Sequence, residues 1–161
     1  MVSSCCKRVY LFRGKSLDNG EWIFGSLMIA NDKYFIIPQI AKAMMTCSVE
    51  IDPGTASQYV MGEDRHGNEL FEGDIVNVYD RHFNKIIDVA MVCDKSTLIH
   101  DGGGFWKPQD TVRLEVIGNI WDNLELLDER TRRWIDNYYR VKLFQDSRKI
   151  KEKWNENGWY D

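Results

Sequence analysis

Ser57–Asp80 reads SQYVMGEDRHGNELFEGDIVNVYD, and this stretch decides the fold class because it spells a β-hairpin residue by residue. Asp64-Arg65-His66-Gly67 suits a type I turn: the Asp64 carboxylate accepts from nearby amides, and Gly67 supplies the positive φ of a bulged loop. Leu70-Phe71 is a short apolar step, and Glu72-Gly73-Asp74 reads as a second tight turn. Ile75-Val76-Asn77-Val78-Tyr79 then has the β-branched and aromatic content of a strand. Two reversals so close together predict a small, strongly bent β unit. Ile75 and Val76 point to opposite faces of their strand, so one feeds the main core and the other needs a second cover. A small barrel would provide both.

Toward the N-terminus, Val9–Phe12 and Trp22–Met28 are strand-like runs around Lys15-Ser16-Leu17-Asp18-Asn19-Gly20, whose Asn-Gly pair signals a hairpin. Tyr34-Phe35-Ile36-Ile37 continues the meander after the Asn31-Asp32-Lys33 turn, and Pro38 ends it by removing a ladder donor. Residues 39–47, QIAKAMMTC, suit a short helix and a buried strand equally. Toward the C-terminus, Lys85–Cys93 and Ser96–His100 read as strands, with Asp101-Gly102-Gly103-Gly104 turning into Phe105-Trp106. Thr111–Ile120 alternates apolar Val112, Leu114 and Val116 with polar Arg113 and Glu115, then changes phase at Gly118, which predicts a bulge or bend. The chain therefore reads as all-β from about residue 9 to 121, without the β-helix-β rhythm of a nucleotide-binding α/β sheet.

Beyond Asp122-Asn123, read as helix caps, the period changes. Leu127, Trp134, Tyr138 and Val141, with Ile135 and Tyr139 beside them, form an apolar stripe at helical spacing. The spacing predicts a helix over about 124–144, broken near Asp146-Ser147. A second, shorter helix carrying Ile150 and Trp154 ends before Gly158.

The composition of the 161 residues agrees with this reading. Seven Phe, seven Tyr and six Trp favour β structure and broad contacts over a helical bundle. The four cysteines, Cys5, Cys6, Cys47 and Cys93, form no C-x-x-C and have no His close by, so reduced thiols are expected rather than a zinc site or disulfides. The first eight residues lack the apolar stretch of a secretory signal, and no run approaches the roughly 18 apolar residues of a membrane span. A cytoplasmic protein is the expectation. Residues 1–129 carry −8, residues 130–153 carry +6, and the last eight carry −2. An acidic body repels a polyphosphate, so any nucleic-acid contact is expected on the tail.

Each candidate for chemistry has a structural reading beside it. Asp101-Gly102-Gly103-Gly104 lacks the following Lys and Ser or Thr of a phosphate loop. His100-Asp101 is a short metal-ligand pair, yet His66 and His82, the remaining imidazoles, both fall in turn-like stretches, so no metal is expected. No local pattern arranges Ser, Cys and His for covalent catalysis. Glu72 and Asp74 form a possible carboxylate pair, which the Gly73 turn also explains. Arg130, Arg132, Arg133, Trp134, Tyr138, Arg140 and Lys142 combine cations with aromatics, as single-strand binders do, and the same stripe also suits packing or oligomerisation.

Taken together, Phe12-Arg13 with Gly25-Ser26-Leu27, the Pro53–Tyr59 approach, the Asp64–Val76 run DRHGNELFEGDIV and the closing Glu115–Leu127 run EVIGNIWDNLELL resemble the YopX family of phage and prophage proteins. The resemblance covers nearly all of residues 10–128. It implies an all-β domain over 1–128 with two subdomains, the smaller an SH3-like barrel over about 55–121, and the tail over 129–161, read above as a helical extension, falls outside the shared pattern. Asp64, Gly67, Gly73, Asp74 and Gly118 are then its structural turn residues. The chain departs from the family pattern at Ser57-Gln58-Tyr59-Val60-Met61-Gly62, where the glycine is moved along by one. The resemblance implies no known reaction and no cofactor. The leading expectation is a non-enzymatic accessory protein that binds a macromolecular partner and self-associates through its C-terminal helices. The alternative is a nucleic-acid binder using the basic aromatic tail.

Overall fold

The computed structural model describes residues 11–38, 48–80, 82, 84–94, 97–100, 104–106 and 112–138. Cys5, Cys6, Cys47, the segment 39–47, the 101–103 turn, Arg140, Lys142 and the second predicted helix lie outside these residues. The described strands form two antiparallel sheets. The first contains β1 (Phe12–Lys15), β2 (Trp22–Ala30), β3 (Lys33–Pro38), β4 (Val49–Ile51), β5 (Ser57–Glu63) and β6 (Glu69–Phe71), in the order β4-β3-β2-β1-β5-β6. The second contains β7 (Asp74–Asp80), β8 (Ile86–Asp94), β9 (Thr97–His100), β10 (Gly104–Trp106) and β11 (Val112–Asn119), in the order β10-β9-β8-β7-β11.

The first sheet is strongly curled. Asn31 and Asp32 take left-handed φ values of 51° and 60° in the two-residue turn between β2 and β3, which suits the twist of a tight hairpin. Gly14 leaves room for Ile51, whose Cδ1 would lie 2.2 Å from any Cβ there. The curl brings β4 to the end of β1, where Leu17 N donates to Glu50 O at 3.0 Å and Asp52 N to Lys15 O at 2.8 Å. Ile36 and Ile51 lie fully buried on the inner face.

The central hairpin belongs to this first sheet, because β5 pairs with β1 as well as with β6. Its displaced glycine, Gly62, sits at φ +71° within an irregular register between Tyr59 and Glu63. From there the 64–67 turn reaches the second sheet: Arg65 N donates to Leu114 O at 2.9 Å, and Val116 N donates to Asp64 Oδ2 at 3.0 Å. Two backbone groups of the outer strand β11 are thereby satisfied. Among the described residues the ladder of the second sheet runs from β10 to β11 without these two strands pairing.

Ile75 and Val76 divide the second sheet between two cores. Val76, Val78, Ala90, Val92 and Leu98 pack with Val60 and Leu70 of the hairpin. Ile75, Met91, Cys93 and Ile99 pack with Ile120, Leu127 and Ile135. The second cover is therefore a helix, α1, over residues 129–138. The expected phase change in β11 is a register shift between Val116 and Gly118.

The helix starts later than its apolar spacing predicts. Asp128 is its N-cap, with Oδ1 accepting from Arg130 N at 2.9 Å and Thr131 N at 3.0 Å. Asn123 precedes only a 3-10 turn, Leu124–Leu126, and makes no side-chain cap bond there. Asp122 is turned back toward the first sheet by Lys15 and Trp22.

Gly73 occupies φ +81°, and a Cβ there would lie 2.5 Å from a Trp121 ring carbon. Gly20, at φ +72°, has nothing within 4 Å of that position. Gly20→Ala is expected to cost about 1 kcal/mol from backbone conformation, and Gly73→Ala roughly 3 kcal/mol or more because Trp121 must also move. Urea unfolding of the two variants measures the difference.

Candidate functional site

The best-defined polar assembly lies where the two sheets meet. β1 supplies Arg13, and the turn into β7 supplies Asp74, which is 1% exposed. Arg13 Nη2 and Asp74 Oδ1 are 2.5 Å apart. The other carboxylate oxygen accepts from Phe71 N at 2.9 Å, and Arg13 Nε donates to Ser57 Oγ at 3.1 Å. The guanidinium carbon stands 4.8 Å from the ring centres of both Trp22 and Phe71. This enclosure removes the cation from water while offering it π faces and acceptors. Burial pushes the Asp74 carboxyl above its ordinary range, and Arg13 and the Phe71 amide oppose that rise only in part.

Trp121 extends the assembly. Its ring meets Trp22 edge-on at 5.4 Å, and its Nε1 donates to Gly54 O at 2.9 Å. Asp122 accepts from Lys15 and from Trp22 Nε1, and these hydrogen bonds hold its carboxyl down at about 2.

A second polar group lies on β7 and β11, where the register places Asn77 opposite Glu115 and Tyr79 opposite Arg113. Glu115 accepts from Tyr79 Oη at 2.5 Å, Asn77 Nδ2 at 3.1 Å and His66 Nε2 at 2.9 Å. These donors, Tyr79 first, lower its carboxyl to about 2, and the same bond raises the Tyr79 phenol. The Arg65 guanidinium caps the Tyr79 ring at 4.6 Å. In the same turn, burial alone would raise Asp64. The Asn68 side chain and the amides of Val116, Asn68 and His66 hold it at about 2.

Of the expected turn residues, Asp64 and Gly67 lie in the hairpin turn, Gly73 and Asp74 at the junction of the sheets, and Gly118 at the bulge. The cationic candidates stand apart from both polar groups. Arg130, Arg132 and Arg133 are exposed on α1, interleaved with Glu129 and Asp136, and Arg133 pairs with Glu129 at 2.5 Å. Trp134 and Tyr138 stack on one another at 4.9 Å, half-buried against the second core. His100 Nδ1 meets Asp88 Oδ2 at 2.7 Å between β9 and β8, and Asp101 lies outside the described residues. Arg13 and Glu115 escaped sequence reasoning because each is one charge on an alternating strand. Only the register and the opposing sheet give them partners.

With this arrangement in view, the protein-family model described as YopX protein matches residues 11–128. The chain belongs to the YopX protein family. No curated protein matches it. The matched YopX region contains both sheets and both polar groups, and it stops at Asp128, the N-cap of α1. Among the described residues no helix is long and apolar enough to cross a membrane.

Removing one member of the Arg13–Asp74 pair leaves the other charge buried. Arg13→Met and Asp74→Leu are each expected to cost about 3–5 kcal/mol, and the double variant Arg13→Met/Asp74→Leu markedly less than their sum. A double-mutant cycle in urea checks this.

Asp64, Glu115 and Asp122 have folded-state values below their unfolded ones, so their contribution is complete above roughly pH 4 and fades as pH falls toward about 2. Asp74 has the opposite sign: its raised value favours the fold at low pH and loses that contribution as pH rises. Asp64→Asn is expected to flatten the acid limb of the stability curve, measured by chemical denaturation from pH 5 to pH 2.

Proposed function

We propose that this YopX protein is a non-enzymatic accessory protein of phage type, a binding or scaffold module that self-associates. The supporting observation is where its side chains are spent. Described groups with chemical capability, among them Asp74 with Arg13, Glu115 with His66 and Tyr79, and Asp122 with Lys15, brace one element against another. Large apolar side chains stay on the surface instead, among them Leu17, Phe24, Met28, Ile86 and Ile87. Polar groups committed to bracing, with apolar side chains left on the surface, suit recognition of another macromolecule.

The finer fold proposal is that the second sheet and the central hairpin make an SH3-like unit. Arg65 and Asp64 support this reading by hydrogen bonding across to β11, the side on which a barrel would close. Leu127 and Ile135 of the C-terminal stripe are buried within the chain's own second core, and Trp134 and Tyr138 pack half-buried against it. The proposed assembly therefore does not rest on those residues.

Sedimentation of the full chain over a concentration series tests the reading. The expected result is a mass that rises above that of one chain with concentration. A single-chain mass throughout, with no protein partner recovered by the immobilised full chain, would contradict it. Adding single-stranded or duplex DNA is expected to leave sedimentation unchanged. Salt-sensitive binding lost on Arg130, Arg132 and Arg133→Ala would favour the nucleic-acid alternative instead.

A further inference from the structure

The face of the first sheet that carries Arg13 and Trp22 continues along β2 and β3, among the described residues, into an exposed apolar strip. Cross-strand pairing sets Phe24, Ser26 and Met28 of β2 on the same side as Phe35 and Ile37 of β3, since Ser26 faces Ile37 and Met28 faces Phe35. The same register puts Glu50 of β4 opposite Phe35, on that side too. Phe24 is 46% exposed and Met28 38%, although β2 is an interior strand with neighbours on both edges. Phe24 is anchored by edge-on contact with Phe71 at 5.5 Å. The strip is thus fixed at its β2 end by aromatic packing beside it on the same face.

The charge beside the strip selects among occupants. Lys33 and Glu50 pair at 3.0 Å on the same face, with side chains 58% and 35% exposed. They cancel, so the strip has no net field with which to attract a polyanion or a basic peptide. A surface bearing an apolar row and one adjacent positive-negative pair is complementary to itself. Turned about a two-fold axis, each lysine can meet the glutamate of the other copy while the apolar rows stack.

We propose that this strip, Phe24, Met28, Phe35 and Ile37 with Lys33 and Glu50, is the two-fold interface through which a second copy of the chain binds. The inference deepens the self-association reading and rests on it. It relocates that contact from the C-terminal helix to the first sheet.

Sedimentation of the full-length protein and three variants separates the outcomes, with circular dichroism melts confirming that each variant is folded. The wild type is expected to reach twice the mass of one chain. Met28→Glu and Lys33→Glu are each expected to halve that mass, and Lys33→Glu/Glu50→Lys to restore it. A dimer that persists in both single variants would overturn this interface while leaving self-association standing. A wild type monomeric at every concentration would overturn both. Should Met28→Glu fail to fold, the Lys33 reversal and its rescue decide alone, because that pair is exposed.

Discussion

The buried contact between Arg13 and Asp74 is the constraint from which the rest of the molecule follows. A carboxylate almost completely removed from water is tolerable only where a cation and an amide converge on it. Arg13 comes from the first sheet, and Asp74 opens the second. The pair therefore specifies how the sheets meet as well as how two charges are satisfied. Trp22 and Phe71 flank the guanidinium, and Trp121 closes on Trp22 from the strand exit after β11. Gly73 lacks a side chain at the one place where Trp121 occupies the space a Cβ would need.

Around this hub the central hairpin mediates between the layers. Its strands extend the first sheet through β1, its turn satisfies two backbone groups of β11, and Val60 and Leu70 fill one core of the second sheet. The stretch most legible as local sequence is thus one that reaches both sheets. Local turn chemistry and tertiary demands agree there, as expected of a segment under little frustration.

Much of the β architecture could be read from turn residues and two-residue periodicity. Asn31-Asp32, Gly67, Gly73 and the Gly118 phase change each declare a backbone need that few alternatives satisfy. The opposing roles of Ile75 and Val76 followed from strand geometry alone. The curl of β4 onto β1 was not legible, because Val49–Ile51 is too short to signal a strand and depends on partners distant in sequence. The helix start was misplaced for a related reason. Asp122, Asn123 and Asp128 are all competent caps, and only the pull of Lys15 and Trp22 on Asp122 leaves Asp128 at the helix. The polar groups were legible only as isolated letters: the turn explained Asp74 adequately until Arg13 arrived from 61 residues away.

If the ion pair locks the sheets together, they should open as one unit. Native-state hydrogen exchange of the central amides of β3 and β8 tests this most directly. The account predicts one shared opening free energy in the wild type, splitting into two distinct values in Arg13→Met as the first sheet opens independently. Separate values already present in the wild type, or a shared value that survives the substitution, would contradict it.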